Sequence, residues 1–518
     1  MTATAFEIVH QDQVLGKLTF FDRMIFKGHL TMLQPRLAMK AFLDRQGVLL
    51  KDFGAYAKQL TEDLKARVGQ AAAAAGAPYQ YLGETHTKAR GLSKEDLARQ
   101  IAAERGVGEG LVCVFSAVEP CSSFDVAGNR GTHRLEVVRR RRKCLHFYLY
   151  YLHPELGLCH VRLQSWLPFT VQVWVNGREL LAHALDAAGV GYVRHANTFL
   201  NIDDWERAQK IANRLARRSW PRLLDRLVRP LNPALATIAR AGFGGYYWVG
   251  DQVEVATDVA FAARPALAAI LPDLISHATS RFSSEDVLRF LDRKLHPALA
   301  VEVSTDTRRR PEGWRVKHRM ERNSIKVYDK VSVLRVETTI NNPAQFRVLR
   351  VKDGRHQWCP MRKGVANLPR YFQVGQSANE RYLDALGQAQ DTRAGKTALH
   401  RLCRPRTNRG HRHSRFNPVD QHDLALFRAV LAGEHAINGF RNKDIAQRLH
   451  PQPATSRAEA NRRCARTSRQ IAKLRGHGLV GKIPKRRIYR VTPYGQRVMS
   501  AALTMHDRDF PAAYTAAA

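Results

Sequence analysis

The sequence predicts an α+β protein, with a body of mixed or antiparallel sheet and helices and a further compact module near the C-terminus. Two blocks of alternating apolar and polar residues, one beginning at residue 111 and one at about 299–352, are typical of half-buried strands. Amphipathic stretches that open with capping residues lie before, between and after these blocks, which favours helices there. The length of 518 residues suggests two to four domains with at least one sizeable core.

The chain is strongly basic, with 83 Lys and Arg against 46 Asp and Glu and a formal net charge of +37. Such a surplus covers much of the surface with positive potential, for which nucleic acid is the commonest partner. A hydrophobic fraction of 44% is ordinary for a folded chain and excludes general disorder. We find no apolar run of about 18 residues and no secretion signal, so we expect no membrane partner.

The seven cysteines are thinly spread and include no C-x-x-C pair. This pattern suits a reducing compartment, so we predict a cytoplasmic protein without a disulfide framework. The nearest approach to a metal pattern is Cys403 with His411 and His413, but the close cysteine pair of a zinc site is missing. We therefore predict no metal site and no resident cofactor.

Residues 1–110 are predicted to be mainly helical after a short strand-like start. Residues 56–75 have helical character, and GLSKEDLARQIAAERG carries capping-box spacing at Ser93 and Asp96 with a stop signal at Gly106. Two helices are therefore expected before the first strand-rich block.

Residues 111–385 are predicted to form an α+β core with a basic sheet. The first strand-rich block contains the basic run Arg139–Lys143, followed by an aromatic strand. Alternation places His146, Tyr148 and Tyr150 on one face of that strand. Helices are then predicted up to the second strand-rich block, interrupted by the strand-like run GGYYWVGDQVEV at residues 244–255.

The second block contains NSIKVYDKVSVLRVETTI at residues 323–340, two strand-like runs joined by a tight turn. Alternation gives them one apolar face, formed by Ile325, Val327, Leu334, Val336 and Ile340. The opposite face gathers Lys326, Tyr328, Lys330, Arg335 and Glu337. If the preceding strand WRVKHRM pairs beside them, the same face also includes Arg315, Lys317 and Arg319.

That second face is mostly positive, whereas a solvated sheet face normally mixes charges. Cations around a tyrosine are typical of a surface that contacts phosphates and stacks a base. We therefore predict that RNA or single-stranded DNA binds to Arg315, Lys317, Arg319, Lys326, Lys330 and Arg335. Glu337 is expected to pair with Arg335 or a lysine.

Residues 386–420 are polar and basic with little apolar periodicity, so they are predicted to be a linker. Residues 421–505 then show three helical stretches, two short strands around Pro484-Lys485-Arg486, and a closing helix. Residues 506–518 are predicted to be a tail. Between 401 and 500 there are 23 Lys and Arg against 5 Asp and Glu, so DNA binding there should weaken steeply with salt.

The third helical stretch of this module, SRAEANRRCARTSRQIAKLRGHG, carries two separate stripes. The apolar stripe consists of Cys464, Thr467, Ile471 and Leu474, which can pack on the first two helices. The basic stripe consists of Arg462, Arg466, Arg469 and Lys473. A helix with one core-facing side and one arginine-rich side is suited to a major groove.

The run LRGHGLVGKIPKRRIYRVTPYGQRVM resembles the recognition-helix end, wing and final helix of winged helix-turn-helix domains, as in MarR-like and ArsR-like regulators. The resemblance covers about 80 of the 518 residues and identifies a module. It implies a winged-helix fold that contacts duplex DNA. The expected contacts are Arg457, Arg462, Arg463, Arg466, Arg469, Lys473, Lys485, Arg486 and Arg487.

A second resemblance concerns the pattern Y-D-K followed by R-x-E, from Tyr328 to Glu337, which is similar to a stretch of some rolling-circle replication initiators of phages and plasmids. It implies that Tyr328 is a nucleophile that attacks a DNA phosphodiester, with Mg²⁺ polarising the phosphate. Those initiators commonly carry a histidine-hydrophobe-histidine metal motif. The nearest stretch here, CHVRL, has Arg162 in the place of the second histidine.

Three acidic residues in VGDQVEVATDVAF are further candidates for Mg²⁺, although a turn, a cap and a salt-bridge partner are their commoner roles. They are Asp251, Glu254 and Asp258.

The leading interpretation is a nucleic-acid-binding protein of a mobile-element, replication or RNA-associated system. It would use the basic sheet face and a winged helix on duplex DNA. One alternative is a tyrosine- or metal-dependent DNA nicking and joining enzyme, which would require Mg²⁺. Another is a transcriptional regulator whose large N-terminal part senses a ligand.

Overall fold

The computed structural model describes residues 3–83, 93–195, 198–292, 303–310, 313–352, 354–387, 392–408, 410–435, 439–484 and 486–517. The chain forms two compact units, each assembled from separate segments. Unit I comprises Met1–Lys17, Thr257–Thr338 and Gln376–Ala518, and unit II comprises Leu18–Ala256 and Thr339–Gly375. Both contain helices and strands, which confirms the predicted α+β class.

The large sheet portion of unit II consists of strands that are mostly antiparallel. In spatial order these are β1 (Val14–His29), β6 (Val171–Asn176), β5 (Gly157–Gln164), β4 (Arg134–His153), β3 (Gly110–Asn129) and β2 (Tyr79–Tyr81). Strand β2 runs parallel to β3, so the sheet is mixed. Strands β7 (Tyr192–His195) and β8 (Thr198–Ile202) form a separate hairpin.

Seven helices of unit II lie in the described residues. They are α2 (Arg36–Arg45), α3 (Phe53–Ala74), α4 (Lys94–Glu104), α5 (Gly177–Ala187), α6 (Trp205–Ala216), α7 (Pro221–Val228) and α8 (Ala234–Arg240). Helix α4 opens with the predicted capping box, in which Ser93 accepts from the backbone N–H of Asp96. Apolar side chains of α2 and α3, including Phe42 and Leu64, are buried in one core with sheet residues such as Phe147.

Cys121 of β3 and Cys144 of β4 form a disulfide bond. The sequence predicts no disulfide framework. It could not show this bond, because the two cysteines are 23 residues apart in sequence and only the pairing of two long strands brings them together. The other five cysteines are free.

Unit I contains a four-stranded meander that follows the end of a long strand. The spatial order is β9 (Tyr247–Phe261), β13 (Val333–Ile340), β12 (Asn323–Lys330), β11 (Gly313–Met320) and β10 (Val303–Arg310). Helices α9 (Arg264–Ser280) and α10 (Ser284–Phe290) cover one face of the meander, where Ile325, Val327 and Leu334 are fully buried. The predicted apolar face is therefore confirmed at these positions.

One order of elements occurs twice along the chain. Strand β1 is followed by helices, with the short strand β2 among them, and then by the consecutive strands β3 to β6, the last of which pairs with β1. Strand β9 is likewise followed by helices and by the consecutive strands β10 to β13, and the last of these lies beside β9. Each set is thus a first strand, helices, and a meander that returns to the first strand.

The C-terminal module of unit I has a core of its own, which includes Phe427, Ile471 and Leu474. Its helices are α13 (Gln421–Val430), α14 (Asn442–Leu449), α15 (Arg457–Gly476) and α16 (Pro493–Thr504), and a hairpin of β18 (Val480–Lys482) and β19 (Tyr489–Val491) lies between α15 and α16. A π-helical turn (Met505–Asp509) and α17 (Phe510–Ala517) follow, where a tail was expected.

The segment expected to be a linker, 386–420, is structured where it is described. Helix α11 (Leu368–Gly387) ends in it, and α12 (Thr392–Leu402) is followed by the hairpin of β16 (Arg406–Asn408) and β17 (His411–His413). Leu402 and Phe416 are buried in the core of the C-terminal module. The segment therefore belongs to that module.

A short helix, α1 (Ala5–Val9), opens the chain, and the hairpin of β14 (Arg347–Lys352) and β15 (Arg355–Pro360) completes the elements. None of the helices in the described ranges is long and apolar enough to cross a lipid bilayer.

Candidate nucleic-acid interface

Helix α15 is held in the C-terminal module by one buried side. The Ser456 hydroxyl caps the helix by accepting from the backbone N–H of Glu459, at 3.2 Å. Thr467, Ile471 and Leu474 are buried, as the apolar stripe predicts, whereas Cys464 is exposed. Cys464 lies near the start of α14, where Asn442 Nδ2 donates to its carbonyl oxygen at 3.1 Å.

The opposite side of α15 presents arginines to solvent. Arg462, Arg466 and Arg469 are exposed there, the last two one helical turn apart, and Arg457 is exposed at the N-terminal end of the helix. In the part of the chain that the structure describes, none of these four guanidinium groups forms a salt bridge. They are therefore available to phosphates or base edges.

Two other cations predicted to contact DNA are already engaged within the module. Arg463 forms a salt bridge with Glu459 and donates to the carbonyl oxygen of Gln452 at 2.7 Å. Lys473 Nζ lies 3.0 Å from Asp423 Oδ1 and 3.9 Å from the ring centroid of Phe416. Arg463 thus ties α15 to the segment before it, and Lys473 ties it to α13, so both cations already have partners within the module.

The hairpin β16–β17 packs against the C-terminal end of α15 and forms a groove with it. Asn408 Nδ2 donates to the carbonyl oxygen of Gly476 at 3.5 Å, and the His413 ring occupies the space that a side chain at position 476 would need. The groove has a volume of about 1020 Å³. Its charged lining residues are all cations: Arg412, Arg466, Arg469, Lys473, Arg475 and Lys482.

The hairpin β18–β19 also pairs with the short segment just before α14. Phe440 and Tyr489 form an isolated antiparallel bridge, and their rings stack with centroids 5.9 Å apart. The loop between β18 and β19 exposes Arg486 and Arg487, while Lys485 lies outside the described residues. The loop thus adds two exposed cations beside α15.

The predicted basic face of unit I is formed by three paired strands. Arg315 lies opposite Tyr328, and Lys317 lies opposite Lys326, so the register places them on one face as expected. Arg319 is exposed, whereas Arg315 is partly buried, and its Nη2 lies 3.1 Å from Asp306 Oδ2. Lys330 is also partly buried. This face is therefore less open than α15.

The prediction that Arg335 contacts nucleic acid is wrong. Its side chain is fully buried, and its Nε and Nη2 donate to the two carboxylate oxygens of Asp258, each at 2.6 Å. Strand β13 lies between two other strands, and every one of its residues is buried. Alternation separates two faces of a strand, but it cannot show that both faces are covered.

Tyr328 lies in a group of three polar side chains. Its hydroxyl donates to Glu337 Oε2 at 2.7 Å, and Lys326 Nζ lies 2.7 Å from Glu337 Oε1. The expectation that Glu337 pairs with a lysine is therefore confirmed, although its partner is not Arg335.

The acidic residues suggested for Mg²⁺ each have a cationic partner. Lys363 Nζ lies 3.1 Å from Asp251 Oδ1, and Arg23 Nη2 lies 2.6 Å from Glu254 Oε1. Asp258 is the partner of Arg335. Each of these three carboxylates therefore has a cation as its counter-ion.

A polar cluster in unit II surrounds Tyr148 on the aromatic strand. The Tyr148 hydroxyl donates to Glu119 and accepts from Arg162 Nε at 3.0 Å. Burial alone would raise the pKa of Glu119, but the hydrogen bond from Tyr148 and the charge of Arg162 lower it to about 2. Glu119 therefore stays ionised and accepts a hydrogen bond from Arg162. This pairing accounts for an arginine at the position of CHVRL where a histidine-hydrophobe-histidine motif would have its second histidine.

The two histidines near this cluster do not converge on one point. Tyr150 lies opposite His160, and His146 lies opposite Gln164. The pair of Tyr148 and Arg162 therefore lies between the two histidines on that face of the sheet. Burial lowers the pKa of His146 to about 4 and that of His160 to about 3. Both rings are therefore neutral near pH 7.

Sequence reasoning missed three cations of the groove beside α15. Arg412, Arg475 and Lys482 line it, but Arg412 lies in the segment that was expected to be a linker. The dipeptide Arg409-Gly410, within NRGHRH, is a turn signal that could have indicated the hairpin β16–β17.

No protein-family model, no curated protein and no solved structure matches this chain. Its function is therefore inferred from contacts, burial and charge.

Proposed function

We propose that this protein binds duplex DNA through its C-terminal module, and that the module is a winged helix. The order of α13, the Phe440 bridge, α14, α15, the β18–β19 hairpin and α16 supports this interpretation. In such a module the third helix enters the major groove, and the hairpin contacts the backbone beside it. Helix α15 would be the recognition helix.

The observation that carries the proposal is the exposed arginine side of α15. Arg462, Arg466 and Arg469 are exposed, and the adjoining groove has no acidic lining residue and six cationic ones, of which Lys473 is paired with Asp423. An arginine guanidinium can bind phosphate or pair with guanine through two parallel hydrogen bonds. Arg486 and Arg487 would contact the phosphate backbone from the hairpin loop.

The exposed cations of β11 and its neighbours support a second, weaker contact, for which RNA or single-stranded DNA is the candidate. Arg319 is the most open of these residues, and Lys317 and Lys326 lie opposite each other across β11 and β12. A setting in a mobile element, in replication or in an RNA-associated system fits both contacts. The cytoplasm is the location we expect for such a protein.

The test of the proposal removes two arginines of α15. Arg466→Ala with Arg469→Ala should weaken binding of the full chain to a 30-base-pair duplex at least tenfold, because two phosphate or base contacts are lost. Fluorescence anisotropy of a labelled duplex measures the affinity. The matched control is Arg222→Ala with Arg226→Ala, which removes two exposed arginines of α7. Equal effects of the two pairs would contradict a specific role of α15.

A second candidate function, DNA nicking through Tyr328, is favoured by the hydrogen bond from its hydroxyl to Glu337. In this reaction the Tyr328 oxygen would attack the phosphorus, and its proton would pass to the Glu337 carboxylate. The bond between the phosphorus and the 3′ oxygen of the upstream nucleotide would break, and that 3′ oxygen would take a proton from water. The 5′-phosphate would stay attached to Tyr328. Mg²⁺ would polarise the phosphate.

A further inference from the structure

The hairpin β14–β15 is a two-stranded ribbon in unit II that exposes apolar side chains. Leu349 lies opposite Trp358, and Val351 lies opposite His356, on one face of the ribbon. Leu349 is 48% exposed and Val351 is 64% exposed. The ribbon forms a two-stranded sheet of its own.

The contacts that the described residues show between the ribbon and the body of unit II lie at its base and as far along as Trp358. Phe346 is buried in the core of unit II, and its carbonyl oxygen accepts from the backbone N–H of Met361 at 2.8 Å. Arg370 Nε donates to the carbonyl oxygen of Arg347 at 2.8 Å, and the guanidinium of Arg370 lies over the ring of Trp358. Residues nearer the turn, including Arg355 and His356, are exposed.

Such a ribbon is unfavourable unless it has a partner. An isolated two-stranded hairpin is marginally stable in water, and exposed apolar strands tend to pair with other chains. Natural edges are usually protected by being short or covered. A ribbon that keeps Leu349 and Val351 in solvent is therefore best explained by contact with another molecule.

Charge indicates what that molecule is. Residues 341–364 contain six Lys and Arg and one acidic residue, Asp353. A groove of about 730 Å³ lies at the base of the ribbon, and its charged lining residues are Arg350, Arg362 and Lys363. Lys363 is partly neutralised by Asp251, but Arg350 and Arg362 form no salt bridge in the described ranges. A polyanion complements this surface, whereas a typical protein surface carries both signs of charge.

We propose that the β14–β15 ribbon is a second DNA-binding element, which lies in a groove of duplex DNA. This inference rests on the proposed DNA binding by the C-terminal module. A two-stranded ribbon fits the major groove, which is roughly 12 Å wide. Leu349 and Val351 face the groove and contact sugars and the methyl edges of thymines. Arg350 and Arg355 belong to the opposite face of the ribbon, and their long side chains reach the phosphates at the groove rim.

Three variants of the full chain test the ribbon. Arg350→Ala with Arg355→Ala should weaken duplex binding about tenfold or more, and should reduce the slope of log affinity against log salt by about two. Arg350→Lys with Arg355→Lys should retain the affinity within about twofold, because lysine also neutralises phosphate. Leu349→Thr with Val351→Thr should lower the affinity without changing the salt slope, because no charge is lost.

Hydroxyl-radical footprinting locates the contact on the duplex. The alanine pair in the ribbon should remove one protected patch, and Arg466→Ala with Arg469→Ala should remove a different one. Thermal unfolding checks that these substitutions leave the fold intact.

Two results would overturn the inference in distinguishable ways. If the ribbon variants bind and protect DNA like the unaltered chain, while the α15 variant loses binding, the ribbon has another partner, such as a protein, and the C-terminal module alone binds DNA. If the unaltered chain binds no duplex, both proposals fail together.

Discussion

The hydroxyl group of Tyr328 donates to Glu337, whose other oxygen lies 2.7 Å from Lys326 Nζ. This arrangement serves two purposes on chemical grounds. It satisfies a buried carboxylate, and it places a proton acceptor beside a phenol. The same three side chains can therefore be a structural cluster on a binding surface or the start of a nucleophilic site.

Replacing Tyr328 with phenylalanine separates these roles. In a binding protein, Tyr328→Phe should leave duplex affinity within about twofold and cost about 1 kcal/mol of folding stability, the contribution of one hydrogen bond. Fluorescence anisotropy and urea unfolding measure the two quantities. If the unaltered chain with Mg²⁺ forms a covalent adduct on single-stranded or supercoiled DNA, and the variant does not, the nicking function replaces the binding function.

At the level of single residues, the sequence predicts which positions alternate but not which are covered. Lys326 and Arg335 were expected on the same exposed face. Arg335 is instead fully buried and paired with Asp258, whereas part of the Lys326 side chain is exposed to solvent. The partner of Arg335 lies 77 positions away in sequence. No local pattern contains that information.

Among the elements, the helices of the C-terminal module follow their sequence signals closely. Ser456 caps α15 and Thr492 caps α16, and both hydroxyls accept a backbone N–H as such signals predict. The hairpin β16–β17 was missed because its six strand residues are almost all exposed, so no apolar alternation marks them. Its position depends on contacts with the end of α15, such as that of Asn408 with Gly476.

These contacts predict where the module begins. A fragment of residues 392–505 should unfold at a higher urea concentration than a fragment of residues 421–505, because only the longer one contains Leu402 and Phe416. Loss of two large buried apolar side chains costs roughly 5 kcal/mol or more. Circular dichroism during urea unfolding measures the difference. Equal midpoints would show that α12 and the hairpin are not part of the folded module.

For the whole molecule, the net charge of +37 is the property that any partner first encounters. Cations are exposed on α15, on the loop after β18, on β11 and on the β14–β15 ribbon. A charge surplus spread over so many elements raises the affinity for any polyanion, and it makes that affinity sensitive to counter-ions.

Binding should therefore depend steeply on salt. If about six or more phosphates are neutralised, we expect the affinity of the full chain for duplex DNA to fall roughly a thousandfold between about 50 and 200 mM salt. Fluorescence anisotropy across that range measures the slope. In addition, protein purified at low salt should carry nucleic acid, visible as excess absorbance at 260 nm. A preparation free of nucleic acid without a high-salt wash would contradict this expectation.

The repeated order of elements bears on the origin of the chain. In each set the last strand of the meander lies beside the first strand of the same set, β6 with β1 and β13 with β9. A duplicated segment carries its own closing contact with it, so duplication and fusion of one gene segment is one route to this order of elements.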